Sequence, residues 1–168
     1  MVLLPGDIFD EDVNAVIRRN QGDAFRNIKS RFGIFAVNGN HEYIGGVEEA
    51  DAYMVGHGIK LLRDESITVD GAFSIVGRDD RSAASFTGKP RKQLTELLQS
   101  VDLQLSGHTH YGQLWPINFI IKRIYELPWG YKKINATHFY VSDGVGTWGP
   151  PVRTSGCPEI VNIRIKFK

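Results

Sequence analysis

Three apolar runs in this chain each stop at a turn and open into a polar cluster. "VLLP" gives way to Gly6-Asp7, "IFAV" to Asn38-Gly39-Asn40-His41-Glu42, and "LQLS" to Gly107-His108-Thr109-His110. Short apolar runs bounded by turn residues suit strands that are covered on both faces. In open α/β sheets, ligands bind in the crevice beyond the carboxyl ends of such strands. Three strands ending in carboxylate, amide and imidazole groups therefore predict one shared crevice. Those oxygen and nitrogen donors suit divalent Mn, Fe, Co or Zn, whereas a thiolate site needs more than the single cysteine, Cys157. A glycine in each cluster permits a tight turn and close backbone approach.

The stretches between these clusters alternate in type. Asp10 is placed to cap a helix that carries Val13, Val16 and Ile17 on one face, with Gly22 as its break. "GVEEADAYMVGHG" reads as a second helix, stopped at Gly56 or Gly58. "SITVDGAFSIVG" sets Asp70-Gly71 between strand formers and predicts a hairpin. "KPRKQLTELLQSV" reads as a helix with Leu94, Leu97, Leu98 and Val101 on one side, running almost directly into "DLQLS". "HFYVS" and "EIVNIRIKF" read as strands. The expected architecture is a layered α/β domain, one unit over residues 1–168.

Composition narrows the function. Twenty basic residues against nineteen acidic ones give a net charge of +1, which offers no general field for nucleic acid. No run of eighteen apolar residues occurs, and "MVLLPGD" is too short for a signal peptide. The expectation is a soluble chain, cytoplasmic or peripheral to a membrane. Cys157 reads as a small buried hydrophobe.

Taken singly, each cluster is ambiguous. Asp7 and Asp10 read equally as turn or cap residues, His41 as a hydrogen-bonded structural histidine, and the "HTH" of "GHTH" as a strand end. Together, "GDIFD", "GNHE" and "GHTH" resemble three motifs of the calcineurin-like metallophosphoesterases. The flanks "SGHTHYGQLWP" and "VSDGVGTWGPPVR" look like those of the bacterial branch of membrane-associated phosphodiesterases and related phosphohydrolases. The resemblance covers nearly the whole chain.

That resemblance implies an α/β sandwich of two sheets with flanking helices, here incomplete. It implies a dinuclear centre of divalent ions (Mn, Fe or Zn) bridged by Asp7. Asn40 and His108 would ligate the second ion, and His110 the first. His41 would touch the substrate phosphate or protonate the leaving oxygen, with Glu42 as its orienting partner. The activity implied is hydrolysis of phosphodiester, phosphomonoester or pyrophosphate bonds by a metal-activated water, on a small-molecule or lipid-linked phosphate. Two parts of the pattern have no counterpart here. The Asp-x-His strand that opens the family's domain is missing, and so is the single histidine between "GNHE" and "GHTH". His57 falls too early for that role and reads as structural. The chain is thus expected to be truncated at its start and internally, near Gln99-Ser100. With Asp7, Asn40, His108 and His110 remaining, one ion or none would be held. The alternative function is a catalytically impaired remnant, at most a weak single-metal-binding or interaction module.

Other stretches carry weaker signals. "WPINFIIKRIYELPWGYKK" mixes large apolar residues from Phe119 to Trp129 with Lys122, Arg123, Lys132 and Lys133. It reads as a lid packed on the domain, or as an interfacial segment touching a membrane surface. Arg78, Asp79, Asp80 and Arg81 read as a solvated, self-paired loop. Arg153 is a candidate for a phosphate, and Asp143 reads as a turn residue.

Overall fold

In the computed structural model, residues 1–97, 101–147, 149 and 151–166 are described, and the chain divides after Ser100 into two units. The first holds a parallel sheet of β1 (Val2–Pro5), β2 (Ile34–Val37) and β3 (Ile59–Leu61), in that order. Helices α1 (Val13–Arg18) and α2 (Asp23–Arg26) lie between β1 and β2, and α3 (Asn40–Gly45) and α4 (Val47–Gly56) between β2 and β3. Parallel neighbours need such crossovers, and these two place both polar clusters at the carboxyl ends of adjacent strands.

The apolar run of β2 has a direct packing cause. Ile34 and Ala36 join Phe9, Val13, Ala50, Met54 and Ile59 in one buried cluster, while Phe35 joins Leu62 and Val69 in another. Successive side chains point to opposite faces, so a central strand covered twice must be apolar throughout. The second face is covered by the hairpin of β4 (Glu65–Val69) and β5 (Phe73–Gly77). Asp70 and Gly71 both adopt left-handed backbone there, and the Ala72 N–H closes onto the Val69 carbonyl at 3.0 Å. Each fully buried side chain of this set, Val13 and Met54 among them, contributes about 1.5–3 kcal/mol by leaving water.

Several expectations need correction. The cap of α1 is Asp12, whose carboxylate accepts from Ala15 N at 3.0 Å, and not Asp10. The "KPRKQLTELLQSV" helix shrinks to α6 (Leu94–Leu97), after α5 (Ala83–Thr87). Lys92 donates its backbone N–H to Asp64 at 2.7 Å and its ammonium to the Asp64 carbonyl, which commits that backbone before a helix can begin. Leu98 to Ser100 lie outside the described residues, and Val101 is not helical. His57, expected to be structural, is buried as such a residue should be, with Nδ1 at 2.7 Å from the Tyr53 carbonyl and Nε2 at 3.4 Å from Asp23. The charged loop is not simply solvated either, because Asp79 is buried.

The second unit contains β6 (Leu103–Ser106), α7 (Ile117–Ile124), β7 (Gly130–Ile134) and β8 (Thr137–Val141). β8 lies in the middle, parallel to β6 and antiparallel to β7. The lid-like stretch thus resolves into a helix and an edge strand, with Asn135 left-handed at the β7–β8 turn. No strand forms over 159–166, and Ile160 remains 90% exposed. Its alternation lacks a ladder to join among the described residues. Cys157 is exposed, not buried, since it lies in this unpaired stretch.

The interior of this unit is polar: among its described residues the buried side chains are Gln113, Asp143 and Ser155, with no large apolar one. Arg153 Nη1 lies 2.8 Å from Asp143, both nearly inaccessible, and Arg153 also donates to the Asp143 and Gly146 carbonyls. Burial pushes the Asp143 carboxyl up, against the opposing pull of Arg153, and the Glu159 charge adds to the rise. Arg153 is therefore committed to structure rather than to a phosphate. Replacing it (Arg153→Met) leaves a buried carboxylate without its cation. Stability should fall by about 3–5 kcal/mol in urea unfolding followed by far-UV circular dichroism.

Candidate metal and phosphate site

The first ligand cluster is built around one carboxylate. Glu42, in the first turn of α3, is fully buried and accepts four backbone N–H groups. Oε1 takes Ile8 at 2.6 Å and Phe9 at 2.9 Å, and Oε2 takes Asp7 at 3.0 Å and Gly39 at 2.8 Å. The β1 and β2 loops are thereby fastened to the same side chain. Burial pushes the Glu42 carboxyl up, the N–H groups of Phe9, Gly39 and Ile8 pull it down, and the Asp7 charge adds to the rise. The site-supporting residue thus acts on the backbone, not on the ring of His41.

That ring has a different neighbour. His41 Nδ1 lies 3.4 Å from Asp10 Oδ1, three residues beyond Asp7 in "GDIFD". Sequence reading spent Asp10 on a helix cap. The spacing could have flagged it, since a turn after β1 presents Asp7 and Asp10 together. Asp7 adopts left-handed backbone, and its Oδ1 accepts from His41 N at 3.3 Å. Gly39 is required beside it, because a Cβ there would fall 2.6 Å from Asp7 N and overlap its carboxylate. Asn40 Oδ1 is buried and has no hydrogen-bond partner among the described residues.

A second polar network braces α3, and sequence reading missed it. Tyr43 donates to Asp79 at 2.6 Å, and Arg63 donates to Asp79 at 3.1 Å, Tyr43 at 2.6 Å and Asp51 at 2.9 Å. Asp51 accepts from Asn38 at 2.8 Å, next to Gly39. Burial pushes the Tyr43 phenol up, and its bond to Asp79 pushes the same way. The residues are scattered from 38 to 79, so no local spacing announces them.

In the second unit, His108 and His110 sit on the loop after β6. His108, His110, Tyr111 and Gln113 all have positive φ, four non-glycine residues within six positions. Residues held so cost about 1–3 kcal/mol each and persist only where their surroundings force them. Here Thr109 Oγ1 donates to the Pro128 carbonyl at 2.7 Å, and Tyr111 packs beside Trp129 with ring centroids 5.5 Å apart. The Gln113 carbonyl accepts from Thr154 at 2.9 Å and Ser155 at 3.0 Å.

The structure therefore gathers Asp7, Asn40, His41 and Glu42 in the first unit, and carries His108 and His110 on one loop of the second. Among the described residues, no three His, Cys, Asp or Glu side chains form a metal-holding group. The donor types fit a divalent ion all the same. Asn40 offers a buried amide oxygen with no partner among the described residues, and Asp7 a carboxylate turned toward the same loop.

Comparison with known proteins gives the chain a context. It is 31% identical to an "uncharacterized metallophosphoesterase" of Helicobacter pylori, over 98% of this chain and 50% of that protein. It is 35% identical to one of Aquifex aeolicus, over 81% of this chain and 62% of that protein. A zebrafish (Danio rerio) "transmembrane protein with metallophosphoesterase domain" is 24% identical, over 99% of this chain and 46% of its own length. The chain spans about half the length of the curated relatives it matches. The Helicobacter alignment runs to 190 positions against 168 residues here, so that relative carries residues within the aligned span that this chain lacks. No protein-family model matches the chain, and no solved structure matches it.

The Glu42 clamp is testable. Glu42→Gln keeps the shape but replaces one acceptor oxygen with a donor, so about two of the four N–H groups lose their partner. Unfolding stability should drop by about 2–4 kcal/mol in a denaturant titration, and an unchanged midpoint would contradict the clamp.

Proposed function

This chain belongs to the metallophosphoesterase family, and we propose that it contributes the core of a metal-dependent phosphoester hydrolase site. The observation that carries this reading is the conjunction at the first cluster. The Asn40 amide oxygen is buried without a partner among the described residues, the neighbouring His41 N–H reaches the Asp7 carboxylate at 3.3 Å, and the His41 ring adjoins Asp10. Asp7 and Asn40 would supply hard oxygen donors in the first unit, and His108 and His110 are candidate nitrogen donors on their own loop in the second. Divalent ions, when bound, would supply a nucleophilic water at neutral pH and neutralise charge on the phosphorus oxygens.

The remaining chemistry belongs to this chain's own side chains. His41 is the proton donor to the leaving oxygen, and Asp10 orients its ring from the Nδ1 side, which leaves Nε2 for the substrate. Glu42 keeps the loops bearing Asp7 and Asn40 at fixed separation without touching substrate. The substrate class is a phosphodiester, phosphomonoester or pyrophosphate. A second reading, an impaired relative that binds one ion weakly, is favoured by the absent three-residue metal group among the described residues and by the residues lacking from the aligned span.

Elemental analysis of the 168-residue chain after equilibration with Mn²⁺ separates these readings. Bound ions whose retention falls about tenfold in Asp7→Asn and in His108→Ala support the proposed site, as does turnover of bis(p-nitrophenyl) phosphate that EDTA abolishes. In that case His41→Gln should lower turnover by about 10²- to 10⁴-fold with the ions still bound. A chain that retains no Mn²⁺ and hydrolyses nothing would establish the impaired reading.

A further inference from the structure

An amphipathic helix normally turns its apolar stripe toward the core. α7 does the reverse. Ile117, Ile120, Ile121 and Ile124 share one face at spacings of three and four, and no residue of the helix is buried. Ile120 is 57% exposed and Ile124 66% exposed. The helix meets the His110–Gly112 turn at its first residues, where Gly112 lies against the Ile117–Asn118 backbone. Trp115 before the helix is exposed, as are Tyr125, Trp129 and Tyr131 after it, while exposed Phe119 lies on the side of the helix away from the isoleucines.

The charge on this surface identifies what covers it. Residues 115–133 contain Lys122, Arg123, Lys132 and Lys133 against one acid, Glu126, which pairs with Lys132 at 2.8 Å, and one further carboxylate, Glu159, accepts from the Trp129 indole at 3.2 Å, so the cations remain in excess. Lys122 stands over the Tyr111 ring, 5.3 Å from its centroid, and keeps its ammonium at the edge of the apolar area. Exposed isoleucines with a cationic border and Trp and Tyr rings fit the boundary between acyl chains and anionic headgroups. Eight residues give about 12 Å of helix, far short of a span, so this helix suits lying in the interface plane. We propose that the isoleucine face of α7, with exposed Trp115 just before it, docks the protein on the surface of an anionic lipid bilayer. The inference is independent of whether the chain hydrolyses phosphate esters.

Vesicle flotation tests it with the 168-residue chain and vesicles of phosphatidylcholine with 30% phosphatidylglycerol. The chain should float with them, its tryptophan emission should shift to shorter wavelength, and pure phosphatidylcholine should hold it at least about tenfold more weakly. Ile120→Glu with Ile124→Glu, and separately Lys122→Glu with Arg123→Glu, should each weaken binding about tenfold or more while circular dichroism stays that of the parent. Failure of the parent chain to bind, or equal binding by both folded variants, overturns the proposal. So does a chain that ignores vesicles but self-associates until Ile120→Glu and Ile124→Glu are introduced, which would make this face a contact between copies.

Discussion

The Glu42 carboxylate, shut away from water and surrounded by four backbone N–H groups, sets the geometry of the first unit's strand ends. A buried charge is costly unless its lone pairs are filled, and here two oxygens are filled by two loops that are far apart in sequence. Neither loop can shift without stranding the charge. The Gly39 position follows from this closeness, since the loops approach too tightly for a side chain. The Tyr43–Asp79–Arg63–Asp51–Asn38 chain fixes the same helix from its other side, so α3 is held at both its first turn and its flank.

Against that bracing, the loop after β6 stores strain. Left-handed aspartates and asparagines at Asn20, Asp64, Asp70 and Asn135 are ordinary turn residues, because a short polar side chain tolerates that conformation. Histidine shares some of that tolerance, but Tyr111 and Gln113 do not, and all four fall within six positions. Their surroundings hold them through Thr109, Tyr111 and the Gln113 carbonyl, and the two imidazoles emerge from the strained segment.

Local patterns in the sequence carried most of the first unit. The apolar run of β2, the Asp70-Gly71 hairpin and the alternation of strands and helices are consequences of nearest-neighbour chemistry, and each can be read along the chain. The partnerships across the fold could not be. Asp10 facing His41, and Asp79 buried beneath Arg63, depend on residues 31 and 16 positions away. The expected C-terminal strand and the longer α6 failed for a related reason: periodicity proposes an element, but a ladder partner or an uncommitted backbone must accept it. The chain divides after Ser100 into two units.

The contrast between the two interiors has a thermal consequence. The first unit is packed from valine, isoleucine, phenylalanine and methionine, whereas the second closes around the Asp143–Arg153 pair and bonds to the Gln113 carbonyl. Apolar packing weakens on cooling, while the desolvation penalty of an ion pair shrinks on warming. The stabilising contributions of the two interiors therefore change with temperature for different physical reasons, the first weakening on cooling and the second strengthening on warming.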